Sequence, residues 1–196
     1  MRSLFLATVL LWGWLFLLHN KAEKPGSDFM GKGEVAAPVP HLDLAYSYLG
    51  VSETTNNHGP EVRRFLNHVG LDEGFPWCAA FTSYILSRSG AEMPTVRSAR
   101  SRDFVTNDSI PVRLFVRTGQ QPVAGSIAVF RRGDGPFGHT DFIVDSDIDQ
   151  GTLRLIGGNV RPPSGEGLNG VWERNHTLNP FSYFRITDIT PVKYGS

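Results

Sequence analysis

The sequence predicts an α+β domain in which N-terminal helices pack on a C-terminal antiparallel β-sheet. Between residues 41 and 90, apolar residues recur at helical spacing, and after residue 126 the pattern changes to short apolar runs typical of strands. Helices that precede the strands, rather than alternating with them, are typical of an α+β fold. The 21 glycines and 13 prolines also favour a loop-rich, β-containing domain over a helical bundle.

The first 24 residues are predicted to be an export leader and not part of this domain. Arg2 precedes an apolar run from Leu4 to Leu18, which has the length of a signal-peptide core and is shorter than a comfortable membrane span of about 20 residues. No clear cleavage site follows the run, so two outcomes stay open: removal of the leader, or membrane anchoring through residues 4–18. Either outcome places the protein outside the cytoplasm, in the periplasm or cell envelope.

The rest of the chain divides into a linker and one domain of ordinary size. Residues 25–40 contain several glycines and prolines and no apolar period, which is typical of a linker. We therefore expect the folded domain to span residues 41–196.

Three helices and five strands are predicted in this domain. The helices cover residues 41–49, 60–69 and 77–89, and each is followed by a glycine that can end it. The strands cover residues 126–132, 139–144, 152–156, 171–177 and 182–186.

Cys78 is the only cysteine in the sequence, and it lies where the third helix is predicted to begin. A lone cysteine can form neither an internal disulfide nor a cysteine-rich metal site. At a helix N-terminus the unpaired backbone N–H groups lower the pKa of a thiol, and a nearby imidazolium lowers it further. Cys78 is therefore a candidate nucleophile, and the alternative from composition alone is an inert buried side chain.

His139 is the best candidate for the base among the six histidines. It opens a predicted strand directly after a glycine-rich turn, and Gly138 allows another segment to approach closely. A third polar group should hold the far ring nitrogen of His139. Asn159, which follows a strand and Gly157-Gly158, is the first choice. Asp141 is the reserve, because residues two apart on a strand share a face.

Five segments in chain order resemble the CHAP family of cysteine- and histidine-dependent amidohydrolases and peptidases. They are residues 44–53, 76–81 (Pro-Trp-Cys-Ala-Ala-Phe), 122–130, 138–139 and 155–159. The resemblance implies a papain-like fold and hydrolysis of an amide bond in peptidoglycan, by an N-acetylmuramoyl-L-alanine amidase or a stem-peptide endopeptidase. It also implies Cys78 as nucleophile, His139 as base and then acid, and Asn159 as orienting residue.

Two positions depart from the pattern of this family. Many CHAP domains have a glutamate two residues before the asparagine, where Gly157 stands here, and Asp141 stands where a small residue is common. These departures are the reason for keeping Asp141 as the reserve third residue. The resemblance implies no cofactor, and no acidic calcium-binding loop is visible ahead of Cys78.

Trp77, directly before the cysteine, is predicted either to wall a substrate cleft or to pack in the core. The 19 basic and 19 acidic residues cancel, so no overall charge favours nucleic acid as a partner. Besides the enzyme, two alternatives remain: a catalytically inert cell-wall binding or scaffold module, and an exported amidase toxin.

Overall fold

A computed structural model describes residues 39–195, which all belong to one unit of the chain, Ala37–Ser196. The predicted leader and nearly all of the predicted linker lie outside the described residues. Among residues 39–195, no helix combines the length and the apolar character that a membrane span requires.

The described chain contains four α-helices and one six-stranded sheet. The helices are α1 (Pro40–Ser47), α2 (Pro60–His68), α3 (Cys78–Ser89) and α4 (Val112–Thr118), with a short 3-10 helix at Ser101–Phe104. The strands are β1 (Ile110–Pro111), β2 (Ile127–Arg132), β3 (Gly138–Asp147), β4 (Thr152–Val160), β5 (Gly170–Thr177) and β6 (Phe184–Thr190). The strand order is β1-β6-β2-β3-β4-β5, and every neighbouring pair is antiparallel. The α+β prediction is confirmed, and the arrangement is consistent with a papain-like fold.

Both faces of the sheet are covered. Successive residues of a strand point to opposite faces, so one strand contributes to a hydrophobic cluster on each side. In β2, Ile127 and Val129 belong to the hydrophobic cluster that includes α1, α2 and α3. Ala128 and Phe130 belong to a second cluster on the other face, which includes Phe115 of α4. The central strands therefore read as continuous apolar runs rather than as alternating ones.

Helix α3 is the central helix of the fold. Its residues from Cys78 to Leu86 are all buried, and it packs on β3 and β4 as well as on α1 and α2. A helix enclosed on all sides needs small and apolar residues around its whole circumference, which explains the run Cys-Ala-Ala-Phe-Thr-Ser. This packing fixes the start of α3 against the sheet.

Several predicted boundaries differ from the structure. Helix α3 begins at Cys78, one residue later than predicted, because Trp77 is the N-cap. Strand β4 was expected to end at Ile156 but continues to Val160, with a change of register between Gly157 and Val160. The two short elements between residues 101 and 111, and α4 after them, were not predicted.

Candidate active site

The Cys78 side chain lies at the N-terminus of α3, on the floor of a cleft. Pro76 does not enter the helix, and Trp77 caps it, so Cys78 is the first helical residue. The backbone N–H groups of the first turn have no partner within a helix and point toward the cleft end of α3. The sulfur-bearing residue is 6 % exposed, so the cleft is its only contact with solvent.

His139 lies beside Cys78 at the start of β3, and its ring is oriented by Asp141. The Nε2 atom of His139 is 2.7 Å from Oδ1 of Asp141, two residues further on the same face of the strand. Because this contact occupies Nε2, the other ring nitrogen, Nδ1, is the one available to the sulfur. Cys78 and His139 line the same cleft, and the charge of His139 acts on the thiol.

Two threonines hold α3 and β3 in this register. The hydroxyl of Thr82, one turn after Cys78, is 3.0 Å from the hydroxyl of Thr140, the residue after His139. Thr82 also donates to the backbone carbonyl of Cys78 at 3.2 Å. Both threonines are fully buried, so this link fixes the distance between the cysteine and histidine backbones.

The electrostatics of the pair favour its charged form. Burial raises the pKa of the Cys78 thiol, but the positive charge of His139, its hydrogen bond and a backbone hydrogen bond from Thr140 together lower that pKa below its ordinary value. Burial lowers the pKa of His139, whereas the charges of Asp141 and Cys78 raise it, and the result is a pKa of about 9. A thiolate facing an imidazolium is therefore the favoured state.

Asp141 is fully buried, and Arg174 of β5 stabilises its charge. Its second oxygen, Oδ2, accepts hydrogen bonds from Nη2 and Nε of Arg174, at 2.6 and 3.2 Å. Burial raises the pKa of Asp141, but the charges of His139 and Arg174 lower it well below its usual range. The guanidinium of Arg174 also lies over the ring of Phe130, 5.1 Å from its centre, which restricts its position.

Gly157 makes this ion pair geometrically possible. Strand β4 lies between β3 and β5, so Arg174 must reach across it to contact Asp141. A side-chain carbon on Gly157 would overlap the carboxylate of Asp141. On the neighbouring residue, Gly158, a side chain would instead collide with Trp77 and Phe81 of the helical layer. The glycine pair is required by close contacts on both faces of β4 and does not form a turn.

The structure contradicts the expected contact between Asn159 and His139. The amide of Asn159 donates to Glu53 at 2.9 Å and to Asn57 at 3.1 Å, and the contact to the histidine is made by Asp141. The reason is local backbone geometry: Asn159 has a φ of 59° and lies at a change of register in β4, so the two-residue alternation of a regular strand does not set the direction of its side chain.

The structure also contradicts the suggestion that Trp77 walls the substrate cleft. Its indole is fully buried, stacks on Phe65 with 5.6 Å between ring centres, and donates its N–H to Glu53 at 2.8 Å. Glu53 therefore holds both Trp77 and Asn159. The role of Trp77 is to anchor the start of α3, not to contact substrate.

The cleft above Cys78 and His139 has a volume of about 500 Å³. Its walls include Asn57 and Asn159 as well as arginines from the sheet. A larger groove of about 610 Å³ lies among α4, β2 and β6, but neither Cys78 nor His139 lines it. Within residues 39–195, no group of three or more His, Cys, Asp or Glu side chains is arranged to hold a metal ion.

Sequence reasoning missed Arg174, Glu53, Asn57 and the two threonines as parts of this site. Glu53 lies in the first CHAP-like segment, residues 44–53. The resemblance of that segment marks Glu53 as part of the family pattern but does not predict its contacts with Trp77 and Asn159. The ion pair between Arg174 on β5 and Asp141 on β3 crosses the intervening strand β4, and no local sequence pattern predicts such a contact.

A thiol at a helix start that faces a histidine on a strand is the arrangement that cysteine hydrolases use. Residues 70–159 match the family described as CHAP domain. This match agrees with the family that the motifs predicted, and CHAP domains are in general amidases or peptidases that act on peptidoglycan. No curated protein and no solved structure matches the chain significantly. The matched segment contains Cys78, His139, Asp141 and Asn159, whereas Arg174 lies beyond its end.

Proposed function

We propose that the protein is an exported cysteine hydrolase that cleaves an amide bond in peptidoglycan through a Cys78–His139–Asp141 centre. The observation that carries the proposal is the joined chain of contacts from the helix-start thiol through His139 and Asp141 to Arg174. Cys78, His139 and Asp141 are buried, Arg174 is half-buried, and each charge has an opposite charge beside it. Such an arrangement keeps a thiolate available at neutral pH.

In the first half of the reaction, the Cys78 thiolate attacks the carbonyl carbon of the scissile amide. The negative charge that develops on the carbonyl oxygen is stabilised by backbone N–H groups at the start of α3. His139 then gives its proton to the leaving nitrogen, the C–N bond breaks, and an amine departs. The product on the enzyme is a thioester of Cys78.

In the second half, His139 acts as a base toward water. It takes one proton from a water molecule, whose oxygen attacks the thioester carbonyl. The C–S bond breaks, the acyl group leaves as a carboxylic acid, and the thiolate–imidazolium pair is restored. Asp141 keeps its proton-free form throughout, because its role is to fix the orientation and the charge of the imidazole.

The lowered pKa of Cys78 supports the enzyme over the inert binding or scaffold module. In a scaffold, the thiol would need neither the helix start nor the imidazolium. The predicted leader, residues 1–24, supports action in the envelope of the producing cell, in the periplasm or attached through residues 4–18, rather than a toxin delivered to competitors.

Zymography of the wild type beside Cys78→Ala tests this proposal. We expect a cleared band in peptidoglycan for the wild type and none for the variant, with equal thermal unfolding of the two proteins as the folding control. Clearing that persists in Cys78→Ala would contradict the mechanism. Folded wild-type protein that clears no peptidoglycan and releases no muropeptide would contradict the function.

Mass analysis of the digest then identifies the bond. An intact stem peptide freed from the sugar indicates an N-acetylmuramoyl-L-alanine amidase, and shortened stems indicate an endopeptidase.

A further inference from the structure

The cleft around Cys78 carries two arginines that the mechanism does not use. Arg132 is the last residue of β2, and Arg161 directly follows β4. Both are exposed and both line the cleft. Within residues 39–195 neither forms an ion pair. Their charges are therefore available to a molecule bound in the cleft.

The sheet topology places these two arginines on opposite sides of His139. Strands β2 and β4 both run antiparallel to β3, which lies between them. The C-terminal ends of β2 and β4 therefore flank the N-terminal end of β3, where His139 lies. A substrate whose scissile amide sits over Cys78 and His139 extends toward one arginine in each direction.

The side chains that line the cleft carry a net positive charge. The thiolate of Cys78 is balanced by His139, and the carboxylate of Asp141 is balanced by Arg174. No aspartate or glutamate is among the residues that line the cleft. The acidic residues next in sequence to the two arginines, Asp134 and Glu166, are exposed.

Arg132 is also held in place before a ligand arrives. Its guanidinium lies over the ring of Phe184, 5.7 Å from the ring centre, and Phe184 is stacked on Phe130 with 4.9 Å between centres. The Phe184 ring centre is 6.0 Å from that of His139. One aromatic ring thus connects the guanidinium to the reacting imidazole, and a guanidinium restricted in this way loses less freedom when it binds a carboxylate.

We propose that Arg132 and Arg161 select substrates that carry a free carboxylate beside the scissile amide. This inference rests on the proposed function and names its substrate class: acidic stem peptides in which the residue adjoining the cut bond has a free carboxylate rather than a carboxamide. Planar guanidinium groups match carboxylates with two parallel hydrogen bonds, whereas a neutral carboxamide offers one acceptor and no charge.

The test uses the full-length protein and two purified muropeptides that differ only in this group, one with the free carboxylate and one with the primary amide. We expect wild-type kcat/KM to be roughly 10-fold higher on the free carboxylate, the size of one charge-assisted hydrogen bond. Arg132→Gln, Arg161→Gln or both should remove this preference. The quantity that decides is the ratio of kcat/KM on the two muropeptides, which should fall to about 1 in these variants. Arg113→Gln, on α4 away from the cleft, is the matched control and should keep the preference.

The outcomes separate this inference from the proposed function. If the wild type cleaves both muropeptides at equal rates, or if both arginine variants retain the preference, the inference is overturned and the hydrolase function stands. If the wild type cleaves neither muropeptide nor whole peptidoglycan, the proposed function fails and the inference fails with it. Arg132→Lys and Arg161→Lys, which retain the charge, should recover part of the preference and so exclude a general loss of folding.

Discussion

At the scale of single residues, the site stabilises buried charges by placing groups of opposite charge next to one another. A thiolate, an imidazolium, a carboxylate and a guanidinium would each be unfavourable if buried alone. Placed in the order Cys78, His139, Asp141, Arg174, they alternate in sign. Cys78, His139 and Arg174 line the cleft, and Asp141 is fully buried.

The first prediction concerns the third residue. Asp141→Asn should lower kcat by about 100-fold or more, because His139 loses both its orientation and the charge that favours the imidazolium. Asn159→Ala should cost less than about tenfold, because Asn159 holds the cleft wall and not the ring. Steady-state kinetics on a muropeptide measures both, with circular dichroism as the folding control. A larger loss in Asn159→Ala than in Asp141→Asn would contradict the assignment.

The same substitution has a predicted effect on the pH profile. The reactive ion pair exists between the lowered pKa of Cys78 and the raised pKa of His139, which is about 9. Removing the negative charge of Asp141 lowers the pKa of His139, so the alkaline limb of kcat/KM against pH should move to lower pH. An alkaline limb that stays in place would show that Asp141 does not control the imidazole.

The second prediction concerns the thiol itself. Burial raises the pKa of Cys78 and His139 lowers it, so in His139→Ala burial and the charge of Asp141 should be opposed only by the backbone hydrogen bond from Thr140. The rate of iodoacetamide labelling, followed against pH, should then rise at a higher pH in His139→Ala than in the wild type. Cys78 is the only cysteine, so the label reports one site. Coincident profiles for the two proteins would mean that the imidazole does not act on the sulfur.

At the scale of elements, the end of β4 shows what sequence reasoning could and could not reach. The proximity of Cys78 and His139 can be predicted because local signals suffice: a lone cysteine at a helix start, and a histidine after a glycine turn. Asp141 entered as the reserve because the two-residue period of a strand is also local. The direction of Asn159 depends on a change of register, which no local pattern predicts. Glycine is unfavourable inside a strand, so Gly157-Gly158 predicts the end of one. Close tertiary contacts on both faces outweigh that preference here.

The third prediction tests this reading of β4. Gly157→Ala should place a methyl group against the carboxylate of Asp141 and displace it from His139 and Arg174. We expect a loss of roughly 1–3 kcal/mol in the free energy of unfolding, as for other overpacked sites, together with a lower kcat. Chemical denaturation and kinetics measure these effects.

Gly135→Ala is the matched control for this substitution. Gly135 lies in the turn between β2 and β3, where an added methyl group meets nothing closer than 3.8 Å. This variant should therefore keep both stability and activity. If Gly157→Ala behaves like Gly135→Ala, the glycine is not what admits the carboxylate.

At the scale of the whole molecule, the sequence predicted the fold class but not the order of the strands. Period and turn residues identify strands one at a time, whereas the order β1-β6-β2-β3-β4-β5 depends on contacts between distant parts of the chain. The contact of Arg174 with Asp141 exists only in that order, since it requires β5 to lie two strands from β3.

The fourth prediction concerns the pH dependence of global stability. Burial, with a contribution from the charge of Arg174, lowers the pKa of His176 to about 4. In the unfolded chain His176 has its ordinary pKa of 6.5, so between these values the unfolded state binds a proton that the folded state does not. Folding stability is therefore lost as pH falls from 6.5 toward 4. His176→Gln should flatten the decline of the midpoint of thermal unfolding across that interval, and an unchanged decline would show that His176 does not contribute to it.

The position of Gly157 has a wider consequence for how sites of this kind diverge. Many CHAP domains carry a glutamate there, and in this chain the neighbouring strand supplies the carboxylate while the glutamate position is bare. A side chain at residue 157 would enter the space that the Asp141 carboxylate fills beside His139, so only one of the two strands can place an acid there. Moving the carboxylate from one strand to the other needs two substitutions: one that introduces an acidic residue on the new strand, and one that replaces the side chain on the old strand with glycine. Residue-by-residue alignment would score such a protein as having lost an essential group, although the group has only changed its point of attachment.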